Sequence, residues 1–178
     1  MDAEGATGFV ARGRKQDPHN RPLPARIAVD AAAFPTASVV LIDAGRNDVG
    51  HPPAKVHRAI VSTLDAVARH FRSSAVVVIA PFLMTSNHHS FLAMRRLLRQ
   101  QAKIHRFAYV DPIAEGWINR ASAKLVVSDH IHPNQAGYNY IVAHLAPAIQ
   151  KALARAHEHV KLHCTKTAPC RRRAPRAH

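Results

Sequence analysis

The chain has 178 residues, 47% of them hydrophobic, which is enough for one domain with its own core and too short for two. Its formal net charge of +14 suggests a polyanionic partner, but only 6% of its residues are aromatic and none alternates with the basic ends. Nucleic acid is therefore not an expected partner. No apolar run approaches the roughly 20 residues of a membrane span, and the first residues lack a signal-peptide pattern, so we expect a cytoplasmic protein from the sequence as it stands.

The first segment, residues 1–36, contains Pro, Gly and Arg and is predicted to be mostly irregular, with a short helix near residues 25–33. Residues 37–160 then alternate between strand and helix patterns and form the predicted core domain.

Three apolar runs in this core predict strands: residues 38–42, 75–80 and 107–110. The first two are continuous and β-branched, which is typical of parallel strands buried on both faces. Amphipathic helices are predicted between them, after the two prolines at 52–53 and over about residues 87–103.

A last helix is predicted to start near Gln135, and Pro147 is expected to kink or break it because proline removes a backbone donor. Residues 161–178 are predicted to be a flexible basic tail. The tail contains Cys164 and Cys170, which could form a disulfide in an oxidising compartment or remain free thiols.

Alternating strands and helices predict an α/β fold, in which helices flank a parallel sheet. In such sheets the reactive site lies beyond the carboxyl ends of the strands. We therefore expect chemistry in the loops after residues 42, 80 and 110, and in the loop that precedes the last helix.

Directly before that helix the sequence reads Asp129-His130-Ile131-His132-Pro133-Asn134. An Asp three residues before a His can orient the imidazole, which can then carry a proton from a nucleophile to a leaving group. Two alternatives stay open: Asp129 and Asn134 could simply cap turns, or His130 and His132 could bind a metal. Metal sites usually need three or four ligands, so no metal is expected.

After the first predicted strand, Gly45 permits a tight turn, and the side-chain amide of Asn47 could donate to a developing negative charge. The alternative is an ordinary polar loop that caps the next helix.

Together the two stretches resemble the SGNH (GDSL-type) hydrolase family. Its Gly-x-Asn-Asp turn is matched by Gly45-Arg46-Asn47-Asp48, and its Asp-x-x-His by Asp129-His130-Ile131-His132. The resemblance covers roughly residues 1–153. It implies a flavodoxin-like three-layer fold and the hydrolysis of a small-molecule, glycan or lipid ester without a cofactor.

The resemblance also implies a role for each matched residue. His132 would be the general base and then the general acid, and Asp129 would orient it. The ordinary histidine pKa of about 6.5 suits this proton transfer near neutrality. The residues around the turn that would contact substrate are Gly45, Arg46 and Asp48.

The segment Gly5-Ala6-Thr7-Gly8-Phe9 resembles a further block of the family, in which a glycine N–H is the second oxyanion donor beside Asn47. We assign this role to Gly8, with Gly5 as the alternative. A flexible terminus that happens to contain glycine is the competing interpretation.

The chain departs from the family at the nucleophile. The family's first block is a strand followed by Gly-Asp-Ser, and this tripeptide does not occur here. Only four residues precede Gly5, so the sheet is expected to lack two strands and to expose residues 39–43 as an edge. These features predict an N-terminally truncated hydrolase domain that is inactive, whose longer parent could be secreted.

Four other hydroxyls could replace the serine by chemistry alone, although none follows a predicted strand beside a matched block: Thr7, Ser86, Ser90 and Ser128. The competing function is a non-catalytic protein that binds an anionic partner, such as nucleic acid, through its basic termini.

Overall fold

A computed structural model of the chain describes residues 7–13, 21–85 and 89–167. Several predictions concern residues outside these ranges: those for Gly5, Ser86 and Cys170, and for the tail beyond residue 167. The side chain of Cys164 is likewise not described.

Four helices and three strands form the described fold. In chain order they are α1 (Leu23–Ala33), β1 (Val39–Asp43), α2 (Pro53–His70), β2 (Ala75–Ile79), α3 (Leu92–His105), β3 (Ala108–Val110) and α4 (Gln135–Thr167). Three short 3₁₀ turns lie between them, at Arg46–Asp48, His89–Phe91 and Arg120–Leu125.

The three strands form one parallel sheet in the order β1-β2-β3. Val39 lies opposite Ala75, and Val77 lies opposite Ala108. The β-branched runs in the first two strands suit a sheet covered by helices, because side chains then need apolar partners on both faces. The predicted α/β fold with a parallel sheet is confirmed.

Alternate residues of the strands face two separate cores. Val76 and Val78 belong to the core that contains Ile60 of α2 and Leu98 of α3, and α1 packs on α2 beside them. On the other face, Val77, Ile79 and Val110 pack against one stripe of α4: Tyr140, Ile141, Leu145, Ile149 and Leu153. The result is three layers, with helices on both faces of the sheet.

Helix α3 differs from its predicted bounds. The apolar spacing predicted a helix over about residues 87–103, but the helix begins at Leu92, after the 3₁₀ turn, and ends at His105. Phe91 is buried at this junction. Arg106 adopts a left-handed conformation and donates its N–H to the last carbonyls, which ends the helix.

Helix α4 continues through Pro147 to Thr167, past the predicted start of the tail at residue 161. A kink or a break was predicted at Pro147, and the helix is not broken there. Leu145, Ala148 and Ile149 pack on the sheet on either side of the proline, and this burial offsets the lost donor. No helix in the described ranges is both long and apolar enough to cross a membrane.

Strand β1 is the uncovered edge of the described sheet. Helix α4 packs on β2 and β3, and Val39 and Leu41 remain 42% and 48% exposed. The sequence predicted this exposed apolar edge, and the described structure contains it.

Candidate active site

The two predicted site stretches lie in the loop that follows β1 and in the loop that precedes α4, and the first of these is at the carboxyl edge of the sheet. The turn Arg46–Asp48 follows β1 directly, and the Asp129–His132 stretch immediately precedes α4, which packs on β2 and β3. The connection to α4 is tied to the segment after β2 because Ser122 donates its Oγ–H to the carbonyl of Met84 at 2.8 Å. This is the edge at which ligands bind in parallel α/β sheets.

Asp129 and His132 form a direct pair. Oδ2 of Asp129 lies 2.6 Å from Nδ1 of His132. The other oxygen, Oδ1, accepts the backbone N–H groups of Ile131 at 2.8 Å and His132 at 2.9 Å. The backbone of residues 131 and 132 therefore holds the carboxylate, and the carboxylate orients the imidazole of His132. The whole pair is formed within four consecutive residues.

The hydrogen bond from the His132 ring, followed by the two backbone N–H groups, lowers the pKa of Asp129 to about 2. Asp129 is thus ionised near neutrality and can stabilise a protonated imidazole. The side chain of His132 is 67% exposed. Within the described residues its ring bonds only to Asp129 through Nδ1, which leaves Nε2 without a partner there.

A short hairpin holds this pair in place. Val126 forms a bridge with Pro133, and the N–H of Val127 bonds to the carbonyl of His132 at 2.9 Å. His130 occupies the turn with a positive φ of 58°. Residue 130 is thus a turn residue, and among the described residues no group of three or more His, Cys, Asp or Glu is arranged to hold a metal.

Asn134 joins the hairpin to α4. Its Oδ1 accepts the N–H of Gly137 at 2.9 Å, and its Nδ2 donates to the carbonyls of Lys124 and Val126 at 3.2 Å. Asn134 therefore caps the helix, and Asp129 caps its own turn. Turn capping and the Asp–His pair are both present, because Oδ1 of Asp129 caps the turn while Oδ2 contacts the His132 ring.

On the β1 side, Asn47 reaches the N-terminal loop, residues 7–12. Its Nδ2 donates to the carbonyl of Thr7 at 2.8 Å. A side-chain amide has two N–H groups, and the second has no partner within the described residues. Asn47 is exposed, so this second N–H is available to a ligand at the strand end.

Asp48, predicted as a substrate contact, points inward and is only 2% exposed. Its Oδ2 accepts the N–H of Phe9 at 2.8 Å, and its Oδ1 accepts those of Val10 at 2.7 Å and Ala11 at 2.9 Å. In this structure, therefore, the carboxylate holds the N-terminal loop.

The structure places Gly8 against Asp48, where a Cβ would overlap the carboxylate. The N–H of Gly8, the predicted oxyanion donor, donates to the carbonyl of Ala11 at 3.0 Å. Gly45 has a φ of 115°, and a Cβ there would overlap Sδ of Met94, so turn geometry and packing both require glycine. Arg46 is exposed beside it.

Sequence analysis missed a charged cluster after β3. Asp111 is buried. Its oxygens Oδ1 and Oδ2 accept hydrogen bonds from Nη2 of Arg95 at 2.8 and 2.9 Å, and Oδ2 also accepts one from Nη2 of Arg99 at 3.3 Å. It also accepts the N–H of Ala114 at 3.1 Å, which fixes the loop after β3. The available signal was an Asp at a strand end together with two Arg four residues apart on the preceding helix.

The candidate replacement nucleophiles are placed differently from one another. Thr7 lies beside Asn47 through its carbonyl. Ser90 and Ser128 are exposed, and in the described part of the chain no hydroxyl is hydrogen-bonded to the ring of His132.

Comparison with known proteins identifies the family of this chain. The sequence profile of the GDSL-like lipase/acylhydrolase family matches residues 3–140, a stretch that includes Gly8, Asn47, Asp129 and His132. A GDSL lipase of Mycobacterium tuberculosis is 32% identical over 127 residues, covering 68% of this chain and 54% of the relative. The chain thus spans about half the length of that curated relative. On the profile match and this identity, the chain belongs to the GDSL-like lipase/acylhydrolase family.

Proposed function

We propose that this domain supplies the acid–base pair and an oxyanion donor for the hydrolysis of a carboxylic ester. The observation that carries the proposal is the 2.6 Å contact between Asp129 and His132, in a turn that leaves the far side of the ring exposed. Family membership supports an acylhydrolase, and the serine-type chemistry below is our proposal.

In the proposed reaction, Nε2 of His132 removes the proton from a hydroxyl nucleophile as it attacks the ester carbonyl carbon. The tetrahedral oxyanion accepts the second N–H of Asn47. The imidazolium, stabilised by ionised Asp129, then protonates the departing alcohol. Water then attacks the acyl carbon while His132 takes a proton from it, and the imidazolium returns this proton to the nucleophile oxygen as the acyl–oxygen bond breaks and the carboxylic acid leaves.

The nucleophile is the part that this sequence does not supply. It contains no Gly-Asp-Ser, and no described hydroxyl bonds to His132. We propose that the chain as given does not turn over esters, and that the serine of the complete reaction is not among its residues.

A first experiment measures p-nitrophenyl acetate hydrolysis by this chain and by His132→Ala. We expect both rates to equal the buffer background. Turnover that disappears in His132→Ala would disprove the missing nucleophile. Thr7→Val, with Ser128→Ala as its matched control, would then show whether Thr7 replaces the serine, because Thr7 is the candidate that the structure places beside Asn47.

A second experiment reads the coding sequence upstream of Met1 and expresses any longer product that contains Gly-Asp-Ser. We expect this product to hydrolyse the ester. Asn47→Ala should lower kcat by about 10²–10³, the usual effect of removing one oxyanion donor. His132→Ala should abolish turnover, and Ser90→Ala should not change it. A longer product whose turnover is independent of His132 would refute the hydrolase proposal.

A further inference from the structure

We propose that Asp48 is a positioning residue: its carboxylate fixes the N-terminal loop, and through that loop it sets the direction of the Asn47 amide. The inference rests on the proposed oxyanion role of Asn47. It separates the tasks of two adjacent residues, since Asn47 would touch the reacting atoms and Asp48 would act only through the loop.

The carboxylate is matched to this task by its contacts. Three consecutive backbone N–H groups, those of Phe9, Val10 and Ala11, converge on its two oxygens at 2.7–2.9 Å. The side chain is almost completely buried, so water does not compete for these donors. Backbone N–H groups that converge in this way form a cavity that favours an anion, and here the anion is part of the protein.

The loop in turn controls Asn47. The residues that bind Asp48 lie two to four positions after Thr7, whose carbonyl accepts one N–H of the Asn47 amide at 2.8 Å. An amide group is planar, so fixing one N–H also fixes where the other points. The second N–H, the proposed oxyanion donor, therefore keeps its direction only while the loop keeps its place.

A carboxylate is required because all three partners donate. Asn at position 48 would replace one oxygen with an NH₂ group, which would face at least one N–H donor and accept from none. Glu is longer by one methylene, and the Asp48 carboxylate already lies so close to residue 8 that a Cβ there would overlap it. The close approach also explains the glycine at position 8 without any contact to substrate.

The experiment follows amide protons by NMR in the full chain and in Asp48→Asn. We expect hydrogen exchange at Phe9, Val10 and Ala11 to accelerate about 100-fold, as for hydrogen bonds opened by local unfolding. The shifts of the two Nδ2 protons of Asn47 should move towards those of a free asparagine side chain, because the N–H that bonds to Thr7 loses its fixed acceptor. Asp65→Asn, which alters a partly exposed carboxylate on α2 that pairs with His105, is the control and should change neither signal.

Two results would overturn the inference: unchanged exchange at residues 9–11 with unchanged Asn47 protons, or an equal acceleration at Val77 and Val78, which would make Asp48 a residue of general stability. If Asp48→Asn does not fold, Gly8→Ala serves instead. It keeps the carboxylate but displaces it, so the same two local changes are expected and their absence counts against the inference. These signals need no turnover, so they can fail or succeed separately from the ester hydrolysis.

Discussion

The two halves of the candidate site are built in different ways. The half that we propose for acid–base chemistry, the acid–base half, is local, because Asp129 and His132 are three residues apart and exposed, and the same turn supplies the backbone donors. The half that we propose to hold the oxyanion is assembled from segments 37 to 40 residues apart, around a buried carboxylate. A local half can keep its shape when packing is disturbed, whereas the other half depends on the tertiary fold.

The largest effect is expected at the centre of the assembled half. Asp48→Ala leaves three buried N–H groups without an acceptor, and each unsatisfied group costs about 1–3 kcal/mol. Allowing for partial relaxation, we expect the free energy of unfolding to fall by about 3–5 kcal/mol, measured by urea denaturation. A loss below about 1 kcal/mol would show that the loop is not held by Asp48.

A smaller effect is expected where the local half meets the helix. A Cβ at residue 137 would overlap the backbone carbonyl of Leu125, which cannot rotate away as a side chain could. Gly137→Ala should therefore cost about 1–3 kcal/mol. The exposed neighbour Ala136→Ser is the control and should stay within about 0.5 kcal/mol. Equal stability of the two variants would mean that the hairpin is independent of α4.

Asp129→Asn tests whether the acid–base half is local. The carboxylate is exposed, so we expect no measurable shift of the urea midpoint. The tautomer and orientation of His132 should change, because Nδ1 loses its acceptor. Nitrogen NMR of the ring reports both. A clear fall in the urea midpoint would contradict the comparison of the two halves.

The smallest effect concerns acid. Because the pKa of Asp129 is lowered to about 2, the carboxylate keeps its hydrogen bond to the His132 ring well below the ordinary carboxyl pKa of about 3.9. This bond is lost as the pH falls through about 2, with little effect on the stability of the fold because both side chains are exposed. The carboxyl carbon shift of Asp129 should titrate with that midpoint. In His132→Ala the midpoint should rise towards 3.9, because the ring is the largest cause of the shift. A midpoint unaffected by this change would assign the shift to the backbone donors instead.

The same contrast explains what could be predicted from the sequence. The β-branched runs predicted the strands, and the Asp-x-x-His spacing predicted the pair, because both are local patterns. The inward direction of Asp48 and its contacts with residues 9–11 could not be predicted, since they depend on how two distant segments pack. Propensity also misplaced the start of α3, and of the kink or break predicted at Pro147 the break does not occur, because burial against the sheet outweighed the local preference.

The free edge of β1 also affects how molecules of this protein meet each other. Its exposed apolar residues, and a backbone that on its outer side pairs with no described strand, can adhere to a second chain, whereas the net charge of +14 keeps molecules apart. Salt weakens only the repulsion, since at about 0.15 M it screens charge beyond roughly 8 Å. We therefore expect association of molecules through this edge to increase with ionic strength, and a buffer of low ionic strength to keep them apart.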